Sequence, residues 1–210
     1  MFAIAGGKGG CGKTTTALGL ARALAERGRH PLVVDADVDM PDLHLLADVP
    51  PDPNAGHVAA GAHVDCAAHS PPDAPGVAVL PAGRGEETAS ALERCRRWDG
   101  PVLLDCPAGA SEDATIPLRA AEGTILVTTA TPQSLDDVRK TARVAERLDA
   151  PPVATLIRGT DADTVTAPVE IPTERVDDST GDVLEDPTFR LACESIAELI
   201  FSHQLDNTNN

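Results

Sequence analysis

The stretch that most limits what this chain can fold into is Gly7-Lys8-Gly9-Gly10-Cys11-Gly12-Lys13-Thr14-Thr15. It fits the template G-x-x-x-x-G-K-[ST], in which glycines let successive backbone N–H groups turn inward around phosphate oxygens. Phe2-Ala3-Ile4-Ala5 before it reads as a short buried strand. Thr14 to Arg27 after it reads as a helix, with Ala17, Leu20, Ala21 and Leu24 on one face and Gly28 as a stop signal. A strand, a glycine-rich turn and a helix N-terminus together predict an anion site for a nucleoside triphosphate. The spacing gives Lys13 the β- and γ-phosphates and Thr14 the hydroxyl for Mg²⁺.

The chain downstream continues the alternation. Leu32-Val33-Val34, Val77-Ala78-Val79-Leu80, Val102-Leu103-Leu104, Thr124 to Val127 and Pro152 to Ile157 are apolar runs that read as buried strands. Val169 to Pro172 reads as a further short extended piece. Helices are expected at Leu43–Leu46, Glu86–Trp98, Ser111–Ala121, Pro132–Leu148 with Thr131 as N-cap, and Thr188 to about His203. Two short helical turns are expected around His57–Ala60 and Val64–Ala68. The pattern predicts an α/β fold, a doubly wound and mostly parallel sheet of the phosphate-loop NTPase type. At 210 residues one domain over 1–205 is expected, with 206–210 a frayed tail.

Two strands end in carboxylates, where open α/β sheets place ligands. The first gives Asp35-Ala36-Asp37-Val38-Asp39, the second Asp105-Cys106-Pro107-Ala108-Gly109. An apolar strand ending in one acid, after a phosphate loop, supplies the carboxylate that holds a Mg²⁺ water shell.

Composition narrows the surroundings. The formal charge is −16, aromatic residues are 2%, and Lys8, Lys13 and Lys140 are the only lysines. Such an acidic, lysine-poor chain reads as adapted to a high-salt interior. Two of its three lysines fall in the phosphate loop, so both do something that arginine cannot. The five scattered cysteines suit a reducing compartment. No opening stretch resembles a signal peptide and no apolar run approaches membrane-spanning length, so a cytoplasmic location is expected. His57, His63, Cys66 and His69 invite a metal reading, but their spacing spreads them around a helix and solvated side chains explain them better.

The second lysine selects the family. Lys8-Gly9-Gly10-Cys11-Gly12-Lys13-Thr14-Thr15 resembles the deviant Walker A motif, K-G-G-x-G-K-T-[ST], of the MinD/ParA ATPases. Asp35-Ala36-Asp37 resembles their first switch, Asp105 to Gly109 their second, and Val127 to Pro132 their segment leading into a helix. The resemblance covers most of residues 1–157 and is nearest to MinD-like proteins of haloarchaea.

It implies ATP and Mg²⁺ as ligands and an ATP-dependent homodimer in which Lys8 reaches the partner's phosphates. Gly7, Gly9, Gly10, Cys11, Gly12, Lys13, Thr14 and Thr15 would cradle the nucleotide, and the backbone around Gly109 would sense the γ-phosphate. Thr14, Asp35, Asp37 and Asp105 would serve the metal, and Asp37 would also orient the attacking water. Arg158 and Pro172 would contact the base side.

Asp39 and Asp42 depart from the family pattern, which often places glycine and asparagine there, and an extra carboxylate near the water would weaken hydrolysis or alter the response to a partner. Arg158 stands where asparagine is common, and Asp161–Ala167 is too short for the helix that longer relatives insert.

The expected role is a dimerising switch with slow Mg-dependent ATP hydrolysis, used in positioning, partitioning or assembly of an unidentified protein partner or cargo. The alternatives are a nucleotide-binding scaffold with negligible turnover and an iron–sulfur carrier-type ATPase. Cys193 stands alone and the segment Pro81 to Gly85 has no cysteine, which argues against the latter. A metabolic ligase or small-molecule kinase would need an acceptor pocket that the sequence does not show. Membrane and DNA binding are both disfavoured. The last helix carries Glu194 and Glu198 where an anchor needs bases, and Asp136, Asp137 and Glu146 interleave Arg139, Lys140, Arg143 and Arg147.

Overall fold

The computed structural model describes residues 1–7, 9–109, 112–177 and 182–208. Its centre is one seven-stranded sheet, and every strand pairing in it is parallel. In chain order the strands are β1 (Phe2–Ala5), β2 (Leu32–Asp35), β3 (Ala78–Leu80), β4 (Val102–Asp105), β5 (Gly123–Thr129), β6 (Pro152–Arg158) and β7 (Thr173–Val176). Across the sheet they run β3-β2-β4-β1-β5-β6-β7. The strand holding the phosphate loop is therefore central, and the C-terminal ends of all seven share one edge.

The helices are α1 (Lys13–Glu26), α2 (Leu43–Leu46), α3 (Ala55–Ala59), α4 (Val64–Ala67), α5 (Gly85–Cys95), α6 (Glu112–Ala120), α7 (Pro132–Arg147) and α8 (Pro187–Thr208). Alternate strand residues face opposite layers, as the pleat demands. Phe2, Ile4, Val33, Leu103, Ile125, Val127 and Leu156 join a core with α1 and α8. Ala3, Ala5, Leu32, Val34, Leu80 and Leu104 join the other, with α3 to α7. Both faces are covered, which is why the strands read as continuous apolar runs rather than alternating ones.

Helix ends follow the expected chemistry. The Thr131 side chain accepts from Ser134 N at the start of α7, with Pro132 in the first turn. Asp186 Oδ1 accepts from Thr188 N at 2.9 Å and Phe189 N at 3.0 Å, so α8 also begins on a side-chain cap. The expected start of α6 at Ser111 lies outside the described residues.

Two expectations are corrected. The last strand is Thr173–Val176, not Val169 to Pro172. Val169 and Ile171 instead pack on Leu126, Val138 and Ala142, covering α7 and β5. The last helix continues past His203 to Thr208. It is a packed helix along most of its length: Phe189, Ala192, Cys193, Ile196, Ala197 and Ile200 are buried, and Leu191 is exposed. Among the described residues no helix is long and apolar enough to cross a membrane. The short Asp161–Ala167 segment holds a 3-10 turn at Ala162–Thr164.

Candidate nucleotide site

At the C-terminal edge the chain leaves β1 through Gly6 and Gly7 and enters α1 through Gly12. Gly12 is the N-cap of α1 at φ +93°, a conformation in which a Cβ is strained, and no side chain caps the helix. The first-turn N–H groups of α1 thus meet the loop rather than a capping side chain, the arrangement that accepts an anion. Gly10 also has positive φ (+76°), while Gly9 and Gly10 are exposed and Cys11 is buried. Gly7 is needed for a different reason. A Cβ there would run into the backbone of α7, with Val138 N at 2.7 Å. Gly7→Ala is expected to cost ~1–3 kcal/mol of stability, because helix backbone cannot step aside as a side chain can. Urea unfolding measures it, and an unchanged midpoint would contradict this packing.

Lys13 opens α1 and is only 8% exposed. Thr14 and Thr15 are half-buried beside it. Thr16 turns inward, its hydroxyl donating to Gly12 O at 2.7 Å and its N–H to the same oxygen at 2.9 Å. That pair ties the loop to the helix it feeds. Lys8 lies outside the described residues.

Two carboxylates come together next to Lys13. Asp35 ends β2 and Asp105 ends β4; they are register partners and are 2% and 1% exposed. Burial, then the Asp105 charge, raises the Asp35 pKa to about 8, against backbone hydrogen bonds that lower it. Burial likewise raises Asp105 to about 7, opposed by the Thr14 hydroxyl and the Lys13 ammonium. The two acids differ in how their oxygens are used. Asp35 Oδ1 accepts from Asp37 N at 3.1 Å and Oδ2 from Leu43 N at 3.3 Å, so it pins both ends of the 35–43 segment.

Neither Asp105 oxygen has a hydrogen-bond partner among the described residues. Thr14 is near enough to stabilise the Asp105 carboxylate, but its hydroxyl donates to Asp42 Oδ1 at 3.0 Å.

A buried carboxylate with both oxygens unspent, beside a hydroxyl and an ammonium, fits a hydrated divalent cation shared with phosphate oxygens. Among the described residues no three His, Cys, Asp or Glu side chains close on one metal position.

The remaining predicted residues divide. Asp37 is at the site, half-buried, with Oδ1 accepting from Met40 N at 3.1 Å. Gly109, at φ +83°, donates its N–H to Gly6 O at 3.2 Å, tying the second switch segment back to the phosphate loop. Arg158 ends β6 and reaches the loop: a Cβ on Gly12 would collide with its Nη1, and its guanidinium lies 5.8 Å from the Phe189 ring centroid. Pro172 is not brought in. It precedes β7, three strands across the sheet from β1, where its carbonyl accepts from Thr155 N at 2.9 Å.

Asp42 was marked by sequence only as an extra charge near the water; its bond to Thr14 joins positions 28 apart and has no local signal.

The histidines serve local structure. His57 Nδ1 caps with Asn54, His63 pairs with Asp65 at 2.6 Å, and His69 Nε2 contacts Pro53 O at 2.8 Å. On α7, Arg139 and Lys140 are paired with Asp136 and Asp137.

The model of the CobQ/CobB/MinD/ParA nucleotide binding domain matches residues 2–201. The chain belongs to that family. It is 34% identical over 158 residues to an uncharacterised ATP-binding protein of Methanocaldococcus jannaschii, an alignment spanning 70% of this chain and 59% of the relative. This chain thus spans less than two thirds of that relative's length.

Among solved structures, the cell division ATPase MinD of Pyrococcus furiosus superposes with a TM-score of 0.80 at 27% identity, covering 96% of this chain and 98% of that one. The septum site-determining protein MinD of Pyrococcus horikoshii, complexed with Mg-ADP, also scores 0.80, at 23% identity, covering 95% and 94%. That second likeness speaks for the fold. The MinD/ParA-type sheet is the one described above, with the phosphate loop on its central strand.

Proposed function

We propose that this chain is a Mg²⁺-dependent ATPase switch of the MinD/ParA type: it dimerises with ATP, hydrolyses it slowly, and regulates the placement or assembly of another component. The observation that carries the reading is the convergence of Lys13, Thr14 and the unspent Asp105 carboxylate at the mouth of the phosphate loop. The relatives' names supply the ATP and the cell-division context, as properties of those proteins.

In this reading the loop N–H groups and Lys13 hold the triphosphate, and Thr14 and Asp105 hold the metal, directly and through water. Mg²⁺ held there would supply positive charge against the phosphates. Asp37 orients the attacking water. Lys8 of a second copy supplies the missing positive charge, so turnover waits for the dimer. The −16 charge leaves DNA a poor partner and favours a protein one.

A second reading, binding and conformational switching with negligible turnover, is favoured by one contact. Asp37 Oδ1 accepts from Met40 N within its own loop, so one of its two oxygens is engaged by backbone rather than left for water.

Solution mass in molar KCl with Mg²⁺, compared between ATP and ADP, tests the proposal. Wild type is expected to double its mass with ATP only. The doubling should persist in Asp37→Ala, with turnover lost, and vanish in Lys8→Ala. A monomer in every state overturns the dimer mechanism. A dimer with no measurable phosphate release in wild type selects the second reading.

A further inference from the structure

The segment between the first switch and α2 holds a carboxylate whose use is unusual for its position. Asp42 is the N-cap of α2: its carbonyl accepts from Leu45 N and Leu46 N, both at 3.1 Å. An aspartate there ordinarily turns its side chain onto the first N–H groups of its own helix. Asp42 does not; no side-chain cap bond is made. Its Oδ1 instead accepts the Thr14 hydroxyl at 3.0 Å. Meanwhile Leu43 N, the next residue's donor, is taken by buried Asp35. The helix start is thus anchored from below, and the Asp42 carboxylate is held over the phosphate loop.

A hydroxyl has one proton and two lone pairs. With its proton committed to a carboxylate, the Thr14 oxygen has both lone pairs for a cation and a raised electron density. Groups standing behind a metal ligand set its orientation and basicity in this way, and their loss typically costs ~10–100-fold in metal affinity. We propose that Asp42 is a positioning residue for the divalent cation, acting through Thr14 rather than touching the metal. This rests on the nucleotide reading above and adds to it which residue tunes the metal and how. It also recasts Asp42: its carboxylate sharpens metal binding instead of only adding charge near the water.

The test is Mn²⁺ titration followed by electron paramagnetic resonance, on protein saturated with ADP, alongside ADP affinity measured in EDTA. Asp42→Ala is expected to weaken Mn²⁺ binding by ~10-fold or more while ADP affinity in EDTA stays the same or improves. Asp42→Asn, which keeps an acceptor oxygen, is expected to recover most of the loss. Asp42 is exposed, so neither variant removes core packing.

Mn²⁺ affinity within twofold of wild type in Asp42→Ala overturns the inference. So does an equal loss of ADP affinity in EDTA, which would place the effect on the loop rather than the metal. If wild type binds neither ADP nor Mn²⁺ with ADP, the nucleotide reading itself fails, and this inference with it.

Discussion

Lys13→Ala is expected to lower kcat/KM for ATP by ~10³ or more, since a preorganised charge aimed at a transferring phosphoryl group is among the largest contributors to such sites. The structure makes the loss hard to recover. Lys13 is almost fully buried at the first position of α1, and its ammonium opposes the rise in the Asp105 pKa. Removing it takes away the phosphate contact and leaves Asp35 and Asp105 facing each other with less compensation. Lys13→Arg is not expected to rescue, because a planar fork needs more room than a compact ammonium. Phosphate release at saturating Mg²⁺ and ATP measures the effect. Retention of wild-type turnover within tenfold would remove Lys13 from the mechanism.

The second large effect concerns stability and has an unusual sign. Asp35 and Asp105 are folded into surroundings that raise their pKa values, to about 8 and about 7. A group with a raised folded pKa takes up a proton on folding. The stability linked to it is complete below the unfolded value near 4 and is lost as pH rises through the folded value.

The nucleotide-free protein should therefore melt at a lower temperature at pH 8.5 than at pH 5.5. Mg²⁺ with ATP should reverse part of the loss. Asp105→Asn removes one of the two charges and is expected to stabilise the nucleotide-free protein at pH 8.5 by on the order of 2 kcal/mol. That is a rise of ~4–8 °C in Tm. The same variant should gain little from added Mg²⁺ and ATP. Calorimetry with and without nucleotide checks both halves. A melting temperature for Asp105→Asn at or below wild type at pH 8.5 would mean that the charge pair is not a source of strain. Such opposition is what a site kept for function predicts, since it holds groups that the fold alone would discard.

Most of the fold was legible because both sheet faces are covered. Where a strand is buried on each side its residues must be apolar, and Leu32 to Val34, Val102 to Leu104 and Thr124 to Val127 stand out. The same rule misled at β7. Thr173-Glu174-Arg175-Val176 is an edge strand with only Val176 buried, while the apolar Val169 and Ile171 beside it cover α7. Reading by apolarity chose the four residues before the strand.

At the site, the phosphate loop and both strand-end acids were visible because their chemistry is local to a motif. What Asp35 does for Leu43, what Asp42 does for Thr14, and how Arg158 meets Gly12 were not. The last two join residues distant in sequence whose approach is set by strand order, and strand order has no signature in one strand; the first depends on how the 35–43 loop folds back.

That strand order also bears on the protein's synthesis. Phe2 pairs with Leu103 on one side and Gly123 on the other, so β1 has no neighbouring strand until the chain has been made as far as β4. The phosphate loop thus leaves the ribosome well before the two strands that flank β1 and give the loop its shape. Until β4 and β5 arrive, Phe2 to Ala5 is an apolar segment with no strand to pair with, in a topology whose long-range pairings close slowly. A nascent chain of this kind acquires its nucleotide pocket only once β4 and β5 are made, and a ligand that binds the loop can act only after that moment.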